Sequence, residues 1–287
     1  MSQAKSFTAA CVQMTAGREI APNIEMASAL IREARDKGAE LIVTPENTTM
    51  MEPKRAAILE KAQPEASNES LAAFRKLAAE LEAWLVIGSL TVKLDGDICA
   101  NRQFVIAPDG RVAARYDKIH MFDVEIPDGQ SYRESATFAP GARAVVTPLP
   151  WGKLGLSICY DIRFPYLYRA LAHGGADFVT APAAFTRFTG EAHWHVLQRA
   201  RAIETGCFVI AAAQCGTHAE KRETFGHSLI VAPWGEVLAD GGAEPGVVLA
   251  EIDPARVAKA RSMIPALTHD RGFAAPGAAE TLRAAGE

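Results

Sequence analysis

Three residues of this sequence, Cys159, Glu46 and Lys118, have side chains that together could carry out nucleophilic catalysis. A thiol attacks a carbonyl carbon well when a base takes its proton and a cation or N–H donors hold the resulting oxyanion. A glutamate and a lysine can fill those two roles without a histidine. Taken singly, each has a simpler explanation, because a lone cysteine is often a buried hydrophobe and lone charged residues are usually solvated.

Cys159 is predicted to lie where a strand gives way to a helix. Leu154, Leu156 and Ile158 alternate with a period of two, which is typical of a buried strand. Residues 164–174 then carry apolar side chains at helical spacing. The first N–H groups of a helix have no partner within it, so they can hold an oxyanion and help a thiol to ionise.

Glu46 and Lys118 are predicted to lie at a strand end and in a functional loop. Leu41–Val43 is a short apolar run, as expected of a strand covered on both faces, and Glu46 follows it. Open α/β sheets bind ligands at such strand ends. Lys118 belongs to an aperiodic stretch, residues 117–141, and an aperiodic stretch of this length in a compact domain is commonly functional.

Strands and helices alternate along the chain and must position these residues. Strands are predicted at 7–14, 41–43 and 84–92, helices at 22–38 and 68–82, and a hairpin turn at 108–110. The full pattern, about twelve strands and five helices, is best buried by two facing sheets with helices outside. We therefore predict an α/β fold, a four-layer α-β-β-α sandwich of two mixed sheets. One domain is expected over residues 1–270, with a C-terminal tail over 271–287.

Composition excludes several classes of function. A formal net charge of −4 gives no basic surface for nucleic acid, and no apolar run is long enough to span a membrane. The five cysteines are scattered, without a CxxC pair, so neither a disulfide framework nor a zinc knuckle is predicted. We expect a cytoplasmic protein that binds neither nucleic acid nor membrane.

Seven blocks of sequence contain or follow the candidate residues: TPEN (Glu46), YDKIHMFDV (Lys118), YRES (Glu134), SICYDIRFP (Cys159), AFTRFTGEAHW (Thr189), QRARAIE (Glu204) and FGHSLIVAPWG. In this order they resemble the nitrilase superfamily of carbon–nitrogen hydrolases, and within it the Nit-type amidases. The resemblance extends over residues 7–265, nearly the whole chain. Seven blocks in family order form a specific signal, although no single residue among them does.

The resemblance implies a role for each matching residue. Cys159 would be the nucleophile, Glu46 the base, and Lys118 would hold the oxyanion together with the backbone N–H of Tyr160. Glu134 matches a second carboxylate that steadies the lysine and positions substrate or water. The reaction passes through a thioester on the cysteine and requires no cofactor and no metal. Relatives of this type usually pair as homodimers across the helix after the cysteine.

The resemblance also suggests a small-molecule substrate, the primary amide of a carboxylate-bearing α-keto acid such as deaminated glutathione or 2-oxoglutaramate. Arg163 is the candidate to bind the substrate carboxylate, because its planar fork matches carboxylate geometry. Its alternative is a structural pairing with Asp161. Phe185 and Thr189 are further candidates for substrate contact, although Thr189 could equally cap the helix predicted at 191–205.

Other functions stay open at this stage. A zinc site could use His193 and His195 with a cysteine, but residues two apart on a helix do not face each other. A cysteine–histidine protease could use His120 or His227. A nitrilase or an N-carbamoyl amino acid hydrolase would share the same catalytic residues, and a silent binding protein could keep the fold. The helix at 191–205 carries apolar and arginine residues typical of an interface: Trp194, Val196, Leu197, Arg199 and Arg201.

Overall fold

Two six-stranded mixed sheets form the centre of the protein, whose computed structural model describes residues 5–126 and 131–273. In chain order the first strands are β1 (Phe7–Gln13), β2 (Leu41–Val43), β3 (Trp84–Lys93), β4 (Cys99–Ile106), β5 (Val112–Asp117), β6 (Asp123–Glu125), β7 (Ser131–Arg133) and β8 (Val146–Leu149). They continue with β9 (Gly152–Leu156), β10 (Phe178–Thr180), β11 (Phe208–Ala211), β12 (Cys215–Thr217), β13 (Glu223–Phe225), β14 (Leu229–Val231), β15 (Val237–Asp240) and β16 (Gly246–Ile252).

The two sheets share one plan. The first has the strand order β16-β1-β2-β3-β4-β5, and the second has the order β15-β14-β11-β10-β9-β8. Each contains three neighbouring parallel strands with antiparallel strands on both sides. Because parallel strands end at the same edge of a sheet, the loops after β2 and after β9 and β10 can supply a shared site.

Helices cover the outer face of each sheet. They are α1 (Ile20–Asp36), α2 (Arg55–Lys61), α3 (Glu69–Leu81), α4 (Pro165–His173), α5 (Arg187–Thr205) and α6 (Ala255–Met263). Along β1, Ala9 and Cys11 pack in the core between the sheets, whereas Ala10 and Val12 pack against α1 and α3. The four-layer α-β-β-α prediction is therefore confirmed. In the described part of the chain, no helix has the length and apolarity required to cross a lipid bilayer.

Several elements differ from the sequence prediction. The predicted loop 117–141 contains the hairpin β6–β7, and the polar stretch after β11 contains the hairpin β12–β13, each strand three residues long. Helix α2 was not predicted. Helix α5 begins at Arg187, four residues before the predicted start, so Thr189 lies within the helix and does not cap it. The predicted tail 271–287 lies outside the described residues from position 274 onward.

Gly88 in β3 allows a close approach between the two sheets. A Cβ atom at this position would lie 1.9 Å from the Thr44 carbonyl oxygen and 2.6 Å from the Pro182 Cβ. Real side chains do not tolerate such distances, so only glycine fits here. The loop that carries Glu46 is consequently pressed against the loop after β10, and this brings the strand ends of both sheets together.

Candidate active site

The predicted chemical residues converge at the edge where the two sheets meet. Glu46 follows β2, Lys118 follows β5 and Cys159 follows β9. A cavity of about 380 Å³ opens onto them, a size within the usual range for small-molecule sites. Of the predicted site residues, the ones that line it are Glu46, Lys118, Glu134, Cys159, Tyr160, Phe185 and Thr189.

Lys118 is a buried cation held between two carboxylates. Its Nζ lies 2.9 Å from Glu46 Oε1 and 2.8 Å from Glu134 Oε2, while only 2% of Lys118 and 3% of Glu46 is exposed. Phe122 fixes Glu134 by donating its backbone N–H to Oε2 at 2.7 Å. A buried charge is tolerated when it is paired and hydrogen-bonded, so each member of this triad requires the others.

Two further donors orient the Glu46 carboxylate. Asn101 donates its amide N–H to Glu46 Oε1 at 3.0 Å and to Glu134 Oε1 at 3.1 Å. Ala184, beyond β10, donates its backbone N–H to Glu46 Oε2 at 2.9 Å. The sequence analysis did not identify Asn101. The sequence feature that could have revealed it is an asparagine within a predicted strand, because this residue type is depleted in strands unless it has a hydrogen-bond partner.

Cys159 follows β9 and is the first residue of a short 3₁₀ segment, Cys159–Arg163, where the chain turns sharply. Its φ angle is +48°, a value that non-glycine residues seldom adopt and that the surroundings must stabilise. Its N–H donates to the Pro182 carbonyl at 2.9 Å, and its thiol lines the same cavity as the Glu46 carboxylate. Tyr160 lines the same cavity, and its N–H lies in the first turn of the 3₁₀ segment, where such groups have no partner within the helix.

The electrostatics of the site favour a neutral thiol beside an ionised base. Burial and the Glu46 charge raise the pKa of Cys159 well above its ordinary value, despite the opposing effect of Lys118. Burial alone would raise the pKa of Glu46, but the charge and hydrogen bond of Lys118 outweigh it and lower that pKa. Burial lowers the pKa of Lys118, and the charges of Glu134 and Glu46 reverse this, so the ammonium is strongly favoured. The thiol can transfer its proton directly to Glu46.

Arg163 is not among the residues that line the cavity, but it lies against two that are, Tyr160 and Phe185. Its guanidinium lies 5.1 Å from the ring centroid of Phe185, and one of its amino groups contacts His193 Nδ1 at 3.3 Å. Its alternative pairing with Asp161 is not formed either. That carboxylate instead accepts hydrogen bonds from the Tyr116 hydroxyl and the Ile158 N–H.

Neither histidine of the protease alternative lies at the nucleophile. His120 pairs with Asp161 through Nδ1 at 2.7 Å and stacks on Phe164, and it is not among the cavity-lining residues. His227 pairs with Asp240 at 2.9 Å. Glu46 therefore occupies the position beside the thiol that a histidine base would take.

The predicted zinc alternative is not assembled either. His193 and His195 point to different partners, Arg163 and Asp240 respectively. His195 instead shares Asp240 with His227, and in the described part of the chain these three donors lie within 4.8 Å of one another. Two imidazoles and a carboxylate suit a transition metal, but this group is separate from the cavity that Cys159 lines.

We expect Lys118→Met to destabilise the protein by roughly 3–5 kcal/mol, because it leaves two buried carboxylates without a cation. Lys37→Met is the matched control. Lys37 forms an exposed ion pair with Glu33, so its loss should cost less than about 1 kcal/mol. Urea unfolding followed by tryptophan fluorescence measures both. Adding Glu46→Gln to Lys118→Met should recover part of the lost stability, because it removes one of the two unpaired carboxylates. Equal stability of Lys118→Met and Lys37→Met would contradict the interpretation that Lys118 stabilises the buried carboxylates Glu46 and Glu134.

Comparisons with known proteins agree with this geometry. The carbon–nitrogen hydrolase family matches residues 8–262. A deaminated glutathione amidase from Synechocystis sp. (strain PCC 6803 / GT-S) is 42% identical over 269 residues, which cover 92% of this chain and 98% of that protein. The crystal structure of the Caenorhabditis elegans NitFhit protein superposes with a TM-score of 0.87 at 37% identity, over 94% of this chain and 66% of that one.

A more distant structure bears on the cysteine. It is a point mutant of the amidase from Nesterenkonia sp. AN1, with acrylamide added to the active-site cysteine of that enzyme by Michael addition. It is 26% identical, covers 90% of this chain and 98% of its own, and has a TM-score of 0.76. The two sheets, the buried Glu–Lys–Cys site and these similarities lead to one conclusion: the chain belongs to the carbon–nitrogen hydrolase family.

Proposed function

We propose that the protein hydrolyses an amide bond of a small, carboxylate-bearing α-keto acid to the free acid and the departing amine, with Cys159 as nucleophile. That amine is ammonia for 2-oxoglutaramate, a primary amide, and cysteinylglycine for deaminated glutathione, a secondary amide. The observation that carries the proposal is that Cys159, Glu46 and Lys118 line one cavity, with the Lys118 ammonium 2.9 Å from the Glu46 carboxylate. Deaminated glutathione is the preferred candidate substrate, because relatives over most of the chain are named for it, and 2-oxoglutaramate is the second.

The proposed reaction has two halves. Cys159 passes its proton to Glu46 as the sulfur attacks the amide carbon, and the oxyanion is held by the Lys118 ammonium and the Tyr160 N–H. When the C–N bond breaks, Glu46 returns the proton to the departing amine, and a thioester remains. Glu46 then takes a proton from water, the hydroxide attacks the thioester, and the acid leaves as the thiol is restored.

Glu134 and Asn101 are proposed to act through positioning. Both contact Glu46 or Lys118 directly, and Glu134 also lines the cavity. Their hydrogen bonds keep the ammonium and the base at fixed separation, which limits reorganisation when charge moves from Glu46 to the oxyanion. Phe185 and Thr189 line the same cavity and are proposed as substrate contacts.

All five cysteines are free and buried, which suits a reducing compartment. We therefore propose a cytoplasmic location. An exposed apolar patch further supports pairing with a second copy of the chain: Ile203 on α5 lies beside Trp234 and Ile264, and Val196 is exposed two turns earlier on the same helix. Trp194 and Arg201, which the sequence assigned to this interface, are instead buried within the chain.

Cys159→Ala should lower turnover of the amide by at least roughly 10³-fold, as loss of the nucleophile does in other covalent hydrolases, with little change in stability. Cys99→Ala serves as the control and should keep its activity, since that thiol lies at the start of β4 and does not line the cavity. Intact mass spectrometry after rapid quenching should find an acyl adduct on Cys159 of the wild type. An adduct on another cysteine would overturn the assignment.

The pH profile of kcat/KM should be flat across neutrality, because it reports ionisations of the free enzyme. The pKa of Glu46 is lowered from 4.5, so the base stays ionised and the acid limb should lie below that pH. The pKa of the Cys159 thiol is raised well above 9.0, so the basic limb should lie above pH 9.0. A limb between pH 6 and 7 would instead indicate a histidine base.

The wild-type protein should have the mass of at least a dimer in light scattering at micromolar concentration. Ile203→Glu places a charge in the exposed apolar patch and should shift the protein toward monomer. Met26→Glu is the control. Met26 is also exposed, but it lies on α1, which covers the first sheet, whereas the patch lies on the helix layer that covers the second. A monomeric wild type, or equal dissociation of both variants, would refute this interface.

A further inference from the structure

Two histidines and an aspartate meet at the protein surface, outside the lining of the catalytic cavity. His195 belongs to α5, His227 to the loop between β13 and β14, and Asp240 is the last residue of β15. His195 Nε2 lies 2.9 Å from one oxygen of the Asp240 carboxylate, and His227 Nδ1 lies 2.9 Å from the other. Within residues 5–126 and 131–273, this is the one group of three such side chains whose ligand atoms all lie within 4.8 Å of one another.

The fold itself brings the three donors together. The register of the antiparallel pair β14–β15 places Asp240 opposite Leu229, two residues after His227. Trp194, which precedes His195 on α5, is buried and donates its indole N–H to the His227 carbonyl at 2.7 Å. The helix is therefore fixed over the loop, and three separate elements contribute one donor each.

The loop also holds the His227 ring in a defined orientation. The φ angle of His227 is +54°, a left-handed value that a non-glycine residue keeps only when its surroundings stabilise it. Its N–H donates to the Gly242 carbonyl at 2.6 Å, and its ring stacks on Phe225 with the centroids 4.4 Å apart. Asp240 in turn accepts the Gly242 N–H at 2.9 Å. Side chains that are ordered before a ligand arrives lose less conformational entropy when it binds.

The donor types and their spacing fit Zn²⁺. Imidazole nitrogens and carboxylate oxygens bind zinc at about 2.0–2.2 Å, so a tetrahedral ion keeps its ligands roughly 3.4 Å apart. The widest separation in this group would have to shorten by no more than about 1.4 Å, which small side-chain rotations can supply. Between 27% and 37% of each side chain is exposed, so an ion can enter and water can take the fourth position.

We propose that His195, His227 and Asp240 form a Zn²⁺ site that links α5 to the β14–β15 hairpin. The ion replaces the protons between the imidazoles and the carboxylate, and each neutral ring then carries its proton on the other nitrogen. The role of the site is structural, because it joins two elements that carry the exposed apolar patch, through Ile203 on α5 and Trp234 in the hairpin. This inference does not depend on the proposed function, since none of the three ligands lines the catalytic cavity.

The first test measures Zn²⁺ affinity by titration calorimetry on untagged protein that has been freed of metal by dialysis against a chelator. A Cys159→Ala background removes the catalytic thiol as a competing ligand. One ion should bind per chain with a Kd on the order of 1 μM, weaker than in four-ligand zinc fingers. His195→Gln and Asp240→Asn should each weaken binding by at least about 100-fold, since even residues that only support zinc ligands contribute 10- to 100-fold.

The matched control is His193→Gln, which removes a histidine two positions away on the same helix that contacts Arg163 instead. It should leave the Zn²⁺ affinity unchanged. A background protein that binds Zn²⁺ with a Kd weaker than about 100 μM would overturn the proposal without any appeal to the variants. An affinity that both His195→Gln and Asp240→Asn leave unchanged would show that the ion binds elsewhere, and would overturn it too.

The second test locates the ion and does not depend on how the variants fold. Crystals of the wild-type protein soaked in Zn²⁺ should give an anomalous scattering peak at about 2.0–2.2 Å from His195, His227 and Asp240. A peak at Cys159 or at other side chains, with none at these three, would refute the site.

Discussion

The structure depends on the Glu46 carboxylate, because its two oxygens join the two sheets. Oε1 accepts hydrogen bonds from Lys118 and Asn101, which belong to the first sheet and its loop. Oε2 accepts one from Ala184, in the loop after a strand of the second sheet. Buried charges are stable when every partner is present, so the pairing that activates the thiol also fixes how the sheets meet.

The proposed chemistry leaves the total charge of this buried group and its bound substrate unchanged. At rest it contains two carboxylates, one ammonium and a neutral thiol, and proton transfer to Glu46 moves one negative charge to the substrate oxygen. Lys118 lies within hydrogen-bond distance of Glu46, so the cation need not move far to follow that charge. Electrostatic stabilisation is most effective when the dipoles and charges are already in place.

The sequence predicted those features that depend on where elements end. Glu46 and Cys159 were identified because an apolar strand precedes each, and strand ends of parallel sheets gather at one edge. The role of Arg163 stays a prediction, because its spacing from Cys159 does not fix the direction of a side chain on a 3₁₀ segment. Asn101 was not singled out, since it lies within a strand. Three-residue strands such as β12 and β13 carry too little periodicity to be predicted.

The protonated state of the Cys159 thiol also affects how this enzyme endures oxidants. Peroxides react with thiolates, and a thiol that ionises only as it attacks an amide offers them little of the reactive form. Burial adds a steric barrier, because only 8% of the residue is exposed. Burial and the Glu46 charge, which raise the pKa of Cys159, therefore keep the thiolate scarce in the resting site, and the thiolate is the form that peroxides attack.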